Sequence, residues 1–558
     1  MKKITLLFVL IISSAHYAQT PGGESAITTI DATIPYQGFG EVSALLGSGE
    51  YKIFYDNVDG VLDKPIIFVD GFDPNDSRDI DSMYSLLDYG NSNDNLGDIV
   101  RDEGYDLIVL NFPEEYLSPT DGTTLIRGGA DFIQRNAYIL VELINTINQD
   151  KVMDAEQNVV IGPSMGGLIS RYALTYMESQ TLDHDTRLYI SFDSPHQGAH
   201  VPIGIQYLFN YMVNGDPGIS EAEPLVSGLL NSAAAKQMLI DHYLAHVDGS
   251  GYNQAAITHT PIGAPNFRYA FQTELDGLGF PQDSRNVSIT NGSGSGQMTG
   301  TPGGELINHT FDTGSADFPP FGTVNTRAII TVNFAPLASQ SNVVTDFIGQ
   351  AEIIFPGNWI TGFSYNASAE STAASDGLDN APGGQFDLFS FDDGTNPLIT
   401  EFVQNLNEQY FDFIPTLSGL AISSEPNWYA TPDINDSPFD NTYIPMNNEP
   451  HVTLTDGNVA FALAEIRGET LGITDNSLIN FEIKLERNPV KNKITLLSDE
   501  IHNESMVSIS DMTGKIVYSK NVNIKNKTSI DINLSSGIYI LQISNSAFSN
   551  KTIRVIVN

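Results

Sequence analysis

Gly162-Pro163-Ser164-Met165-Gly166 lies inside the stretch "NVVIGPSMGGLISRYAL", which runs from Asn158 to Leu174. The spacing is G-x-S-x-G, and it suits a serine that acts as a nucleophile. A strand that reverses abruptly into a helix holds the residue at its apex in a strained conformation, with the hydroxyl clear of the sheet edge. Glycines on either side let strand and helix come close. The first turn of the helix then offers free N–H groups where charge would form on an attacked carbonyl, so the Met165 N–H is one expected oxyanion donor. A second donor should come from the loop after an earlier strand. "IIFVDGFDPND" supplies such a loop, in which Gly71 lets the backbone approach a ligand and the Phe72 N–H is the expected donor.

Those residues need a scaffold, and the apolar pattern describes one. "EYKIFYDNV" alternates like a strand, while Pro65–Val69 and Leu107–Leu110 are short apolar runs that end in polar turns. Between Ala130 and Gln149, Phe132, Ile133, Tyr138, Val141, Ile144 and Ile147 recur mostly at helical spacing. A strand at Asn158–Ile161, a helix carrying Leu168, Ile169, Tyr172 and Tyr176, and a further strand ending near Asp193 complete the alternation. Strands alternating with helices imply an α/β class, a doubly wound and mostly parallel sheet covered on both faces. Residues 201–285 read as a helical insertion and residues 296–400 as a β-rich insertion. Both fall within a catalytic domain expected over residues 19–480.

The stretch "GPSMGGLISRYAL" resembles the elbow of lipases, and "SFDSPHQGAH" resembles the T-P-H-x-G stretch that often follows it in bacterial lipases. On these residues the chain is similar to the α/β-hydrolase superfamily, in its lipase and esterase branch, most closely over residues 50–200. One departure stands out: Asp70-Gly71 occupies the place of the usual His-Gly. The resemblance implies a serine hydrolase that cleaves lipid or other acyl esters through an acyl-enzyme, without an organic cofactor. An amidase, peptidase or acyltransferase on the same site, or a non-catalytic adhesion protein on the scaffold, are the alternatives.

The resemblance also implies the chain order Ser, acid, His. Of the ten histidines, His451 in "NNEPHVTLTDGNVAFALAEI" lies in a polar loop before a helix bearing Val459, Leu463 and Ile466, with Thr455 or Asp456 as its cap; it ranks ahead of His309. For the acid, Asp193 and Asp440 stand level, and Asp412 comes third. The helical insertion is the expected lid or acyl-binding wall, although most of its apolar residues should pack on the sheet. The Asp-rich stretches "DPNDSRDIDS" and "FDDGTNP" do not match the spacing of a Ca²⁺ loop, so no metal is expected.

The two ends and the composition bear on location. "MKKITLLFVLIISSAHYAQ" has two lysines, an apolar run from Ile4 to Ile12 and then small residues, the layout of a signal peptide over residues 1–18. The chain of 558 residues has no Cys, so no disulfide or thiol chemistry arises. Its formal net charge of −42 argues against nucleic acid as a partner, and no interior apolar run is long enough for a transmembrane anchor. Charge is uneven, since Lys484 to Asn558 hold 10 Lys and Arg against 6 Asp and Glu. This tail reads as short alternating strands, a small β-sandwich at 485–558 with a hairpin turn at Met512–Lys515. Asn488-Pro489, Asp511, Gly514-Lys515 and Gly537-Ile538-Tyr539 resemble the sorting domain of the type IX secretion system of Bacteroidetes. That resemblance implies the secretion machinery as a partner, and release from the cell or display on its surface.

Overall fold

The computed structural model describes residues 20–557 except 91–93, 216–217, 219–221, 257, 318–321, 353–356, 393, 395–396, 469–483, 486, 499–501, 512–514 and 546–547. The expected signal segment and the turn at 512–514 lie outside the described residues. The chain divides into two units, Met1–Val459 and Ala460–Asn558.

The first unit is built on one sheet of eight strands: β1 Thr28–Asp31, β2 Ser48–Phe54, β3 Pro65–Val69, β4 Asp106–Asn111, β5 Asn158–Pro163, β6 Thr186–Phe192, β7 Arg285–Ile289 and β8 Asn441–Tyr443. Their spatial order is β1-β2-β4-β3-β5-β6-β7-β8. β2 runs antiparallel to both its neighbours, and every other pair is parallel. β4 reads Asp-Leu-Ile-Val-Leu-Asn and is buried along its whole length. A parallel strand covered on both faces requires such an unbroken apolar run.

Helices α1 Leu96–Asp102, α2 Ile133–Asp150 and α3 Met165–Ser179 cover the sheet and link its strands; α4 Ile203–Asn214 and α5 Arg268–Leu278 lie in the chain between β6 and β7, and α6 Asp456–Ile466 follows β8. The i, i+3, i+4 spacing of Ile133, Ala137, Leu140, Ile144 and Ile147 makes one buried stripe on α2. Tyr138 of α2 meets Tyr172 and Tyr176 of α3 edge-on, with ring centroids 6.0 and 4.9 Å apart. From β3 the chain crosses to β4 on one side, while β5 lies on the other side of β3. Strand order therefore reverses there and opens a crevice at the carboxyl ends of β3 and β5, where ligands bind in open α/β sheets.

Between β7 and β8 the chain makes an antiparallel meander of four strands, Glu305–Asp317, Thr323–Asn333, Ser341–Glu352 and Trp359–Glu370. This second sheet covers α4. Tyr211 stacks on Tyr365 with centroids 4.2 Å apart and meets Phe347 at 5.4 Å, and the Thr345 hydroxyl donates to the Gly204 carbonyl at 2.6 Å. The apolar residues of α4 thus pack on the meander, where the central sheet was the expected partner. A two-stranded ribbon, Gly383–Asp387 with Tyr410–Pro415, follows the meander.

In the second unit, strands at Lys484–Leu485, Lys493–Leu497 and Lys527–Asp531 make one sheet, and strands at His502–Asp511, Ile516–Ile524, Gly537–Asn545 and Phe548–Val557 make another. Ile494, Leu496, Val507, Ile509, Leu541, Ile543 and Val555 form a common core, which makes the pair a β-sandwich. Among the described residues no helix is long and apolar enough to cross a membrane.

Candidate active site

Ser164 stands between the end of β5 and the start of α3 with φ 53° and ψ −128°. That region disfavours any residue with a Cβ and costs on the order of 1–3 kcal/mol, so the surroundings must impose it. Two glycines show how. A Cβ on Gly162 would lie 2.4 Å from the Gly166 carbonyl carbon and oxygen, and a Cβ on Gly166 would lie 2.3 Å from the Val69 carbonyl oxygen. Strand, turn and helix therefore touch backbone to backbone. The Ser164 N–H donates to the Phe192 carbonyl at 2.8 Å, while its side chain makes no cap bond to α3. The hydroxyl is left for another partner.

That partner is His451. Its Nε2 lies 2.9 Å from Ser164 Oγ, and its Nδ1 lies 2.7 Å from Asp193 Oδ2. A carboxylate only accepts, so Nδ1 carries the proton and Nε2 accepts from the serine hydroxyl. His451 sits in the loop before α6. Its N–H donates to the Gln385 carbonyl at 2.8 Å, and its ring meets Phe413 edge-on at 4.9 Å. The Thr455 hydroxyl accepts the Asn458 N–H at 3.4 Å, which starts the helix behind the loop. Half-buried Phe413 continues through Phe386 and Phe391 at 5.5 and 5.4 Å as an aromatic wall.

Asp193 follows β6 with φ 47° and is fully buried. Its N–H donates to the Ile289 carbonyl, and its Oδ1 accepts the Asn291 N–H at 3.0 Å and the Thr290 hydroxyl at 3.4 Å. The structure thus joins Asp193, and not Asp440, to His451. Asp440 is exposed and occupied elsewhere: its Oδ2 accepts the Asn286 N–H at 2.8 Å, and its own N–H donates back to the Asn286 carbonyl, which stitches β8 to β7. Asp412 is fully buried, and neither carboxyl oxygen has a hydrogen-bond partner. Burial, and then the charges of Asp193 and Asp379, push its carboxyl well above the usual carboxylate range. His309 pairs with Glu401 on the meander at 2.9 Å. His196 is buried against Phe280 and Phe439, is kept neutral by burial and then by Arg171, and bonds to the Ser191 hydroxyl, as a packing residue would.

Gly71 lies against Ser164. A Cβ added there would be 3.3 Å from Ser164 Cβ and 3.7 Å from Met165 N. No hydrogen bond occupies the N–H of Phe72 or Met165 among the described residues. Sequence reasoning overlooked Asn291. Its N–H donates to Asp193 Oδ1, and its side chain donates to Glu449 Oε2 at 2.8 Å and the Thr453 carbonyl at 3.0 Å, on either side of His451. Its place just beyond the carboxyl end of β7 was the available signal.

Among the described residues one group, Glu178, His184 and Asp283, gathers potential metal ligands within 4.8 Å. Its hydrogen bonds use up the imidazole. His184 Nδ1 accepts the Thr186 N–H at 3.1 Å, so Nε2 carries the proton and donates to Glu178 Oε1. That oxygen also takes the N–H groups of Gln282 and Asp283. No lone pair remains on the ring for a cation.

Residues 62–215 match the family profile described as the PGAP1-like alpha/beta domain, and residues 488–558 match that of the secretion system C-terminal sorting domain. No curated protein matches the chain in sequence. Solved structures similar to it include a mature lipase of Bacillus licheniformis, at 12% identity over 49% of this chain and 74% of that one, with a TM-score of 0.24. The peroxisomal alpha-beta-hydrolase of Saccharomyces cerevisiae is 12% identical over 49% of this chain and 75% of its own, with a TM-score of 0.26. An esterase of Pyrobaculum calidifontis is 9% identical over 49% and 67%, with a TM-score of 0.24. The chain carries a PGAP1-like α/β domain within an α/β-hydrolase fold, followed by a type IX sorting domain that marks it for export to the cell surface or beyond.

Proposed function

We propose that the protein is a secreted serine hydrolase that cleaves carboxylic esters, with Ser164 as nucleophile, His451 as base and Asp193 as the acid. The observation that carries this reading is His451, which touches Ser164 Oγ with one nitrogen and buried Asp193 with the other. Ser164 Oγ attacks the ester carbonyl and its proton passes to His451 Nε2. The N–H groups of Met165 and Phe72 receive the oxyanion, and the imidazolium gives the proton to the departing alcohol. A water molecule, deprotonated by the same nitrogen, then releases the carboxylic acid and restores the serine. Asp193 fixes the tautomer and steadies the imidazolium. An apolar acyl group suits the Phe413 and Phe386 wall beside His451.

The test is labelling of the full chain by a fluorophosphonate, run beside p-nitrophenyl esters of rising chain length and peptide substrates. Labelling and ester turnover that vanish in Ser164→Ala support the reading. Turnover of peptides alone would replace the ester by an amide. Absence of both labelling and turnover would leave a non-catalytic protein on a hydrolase scaffold.

A further inference from the structure

The loop after β3 carries the expected oxyanion donor, and one cation is placed to hold it. Arg78 Nη2 donates to the Phe72 carbonyl at 2.8 Å and lies 3.4 Å from Asp70 Oδ1. Its Nε lies 3.6 Å from Asp73 Oδ2, and its backbone N–H donates to that same oxygen at 2.8 Å. One side chain therefore reaches three successive parts of the loop: the carboxyl before Gly71, the carbonyl of Phe72, and the carboxyl after it. Behind the loop the Asp70 N–H is pinned to the Leu110 carbonyl and the Asp73 N–H to the Gly129 carbonyl. The span from Gly71 to Phe72 has no such backbone anchor among the described residues, apart from Arg78.

Asp70 strengthens the case. It is 3% exposed, and its Oδ2 has no hydrogen-bond partner. A buried carboxyl of this kind is costly unless a charge opposes it. Arg78 is that charge, and its planar fork can serve a carboxyl and a carbonyl together where an ammonium cannot.

We propose that Arg78 is the positioning residue of the oxyanion loop: by clamping Asp70, the Phe72 carbonyl and Asp73, it holds the Phe72 N–H toward the oxygen that forms at Ser164. The inference rests on the hydrolase reading above. Arg78 touches neither Ser164 nor His451, so it acts only through the loop. Holding the Asp70 carboxyl on one side and the Phe72 carbonyl on the other fixes the chain that flanks the Gly71–Phe72 peptide, which narrows the orientations its N–H can take. Preorganised donors of this kind act on the transition state and not on the bound substrate.

The test compares the full-length wild type with Arg78→Lys and Arg78→Met. The measurements are the rate of fluorophosphonate labelling at Ser164, kcat and KM on a p-nitrophenyl ester, the melting temperature, and the ratio of turnover on an oxygen ester to that on its thionoester. Arg78→Met is expected to lower kcat and the labelling rate by about 10- to 100-fold with KM little changed. Arg78→Lys should fall between it and the wild type. The oxygen-to-sulfur ratio should shrink in step, because N–H donors favour an oxyanion over the larger, weaker-accepting sulfur. A general loosening of the fold would lower both esters alike and leave the ratio intact. A ratio equal to that of the wild type, or unchanged kcat in Arg78→Met, overturns the proposal while the Ser164 reading stands. A wild type that neither labels nor turns over ester removes the hydrolase reading and this one with it.

Discussion

Asp193→Asn tests the acid assignment most sharply, because the structure dictates how the new amide must sit. Asp193 Oδ1 receives the Asn291 N–H and the Thr290 hydroxyl, while Oδ2 faces His451 Nδ1 at 2.7 Å. An asparagine there has one acceptor and one donor end. Its oxygen must take the Oδ1 place, since an NH₂ group there would oppose the fixed N–H of Asn291. The NH₂ then points at His451 Nδ1 and stabilises the tautomer in which Nδ1 accepts and Nε2 carries the proton. An imidazole in that state cannot take the proton of Ser164. The expected loss in kcat is about 10⁴-fold, or ~5 kcal/mol of transition-state stabilisation, with KM nearly unchanged. Asp440→Asn is the control. Its amide oxygen can still accept the Asn286 N–H at an exposed site, so turnover should stay within about threefold of wild type. Ester hydrolysis followed spectrophotometrically across pH 6 to 9 separates the cases. If Asp193→Asn kept more than a tenth of wild-type kcat, or Asp440→Asn fell as far, the assignment of Asp193 would be wrong.

Three further outcomes can be measured. Gly162→Ala would place a Cβ 2.4 Å from the Gly166 carbonyl, so α3 must shift off β5; the melting temperature should drop by several degrees, at about 1–3 kcal/mol, and Ser164 labelling should slow. Asn291→Ala keeps the backbone N–H to Asp193 but removes the bonds to Glu449 and Thr453 that frame His451, so kcat should fall about 10- to 100-fold while melting changes less than in the glycine variant. Burial raises the carboxyls of Asp412 and Asp70 in the folded protein, Asp70 to about 7. The folded state then keeps protons that the unfolded chain releases above about pH 4, so their stabilising share is complete below that pH and is lost as pH rises toward 7 and beyond. Urea denaturation should show Asp412→Asn gaining stability relative to wild type at pH 8 compared with pH 4. An equal difference at both pH values would refute the buried-proton argument.

How much of this was legible in the sequence depends on the range of the interactions. The place of Ser164 at a strand–turn–helix junction is a local matter, written in residues 158–174, and β5 and α3 fall there. His451 could be picked out because a polar loop before an amphipathic helix is also a local pattern. The acid could not, since three aspartates are chemically alike and only the folded sheet decides which faces the imidazole. The apolar periodicity of residues 203–214 shows that α4 hides a face. It does not show that Tyr365 and Phe347, well over a hundred residues later, are what hide it. Arg78 was hidden within a stretch that reads as acidic, because a hydrogen bond to the Phe72 carbonyl leaves no mark on residue type.

The place of the carboxylate has a physical logic of its own. β6 and β7 are parallel neighbours, with Phe192 beside Ile289, so Asp193 and Asn291 leave the sheet side by side. Either strand end could bring a side chain under the His451 loop. Glu449, in that loop, already points a carboxylate at residue 291, and burial raises its carboxyl. A second carboxylate at 291 would face Glu449 directly, with like charges in a partly buried site. An amide there instead donates to Glu449 and Thr453 and fixes the loop on both sides of the imidazole. The negative charge then belongs one strand over, at Asp193, where the backbone N–H of Asn291 and the hydroxyl of Thr290 aim one carboxyl oxygen and leave the other for His451. The end of β7 thus positions both His451 and Asp193 while carrying no charge itself.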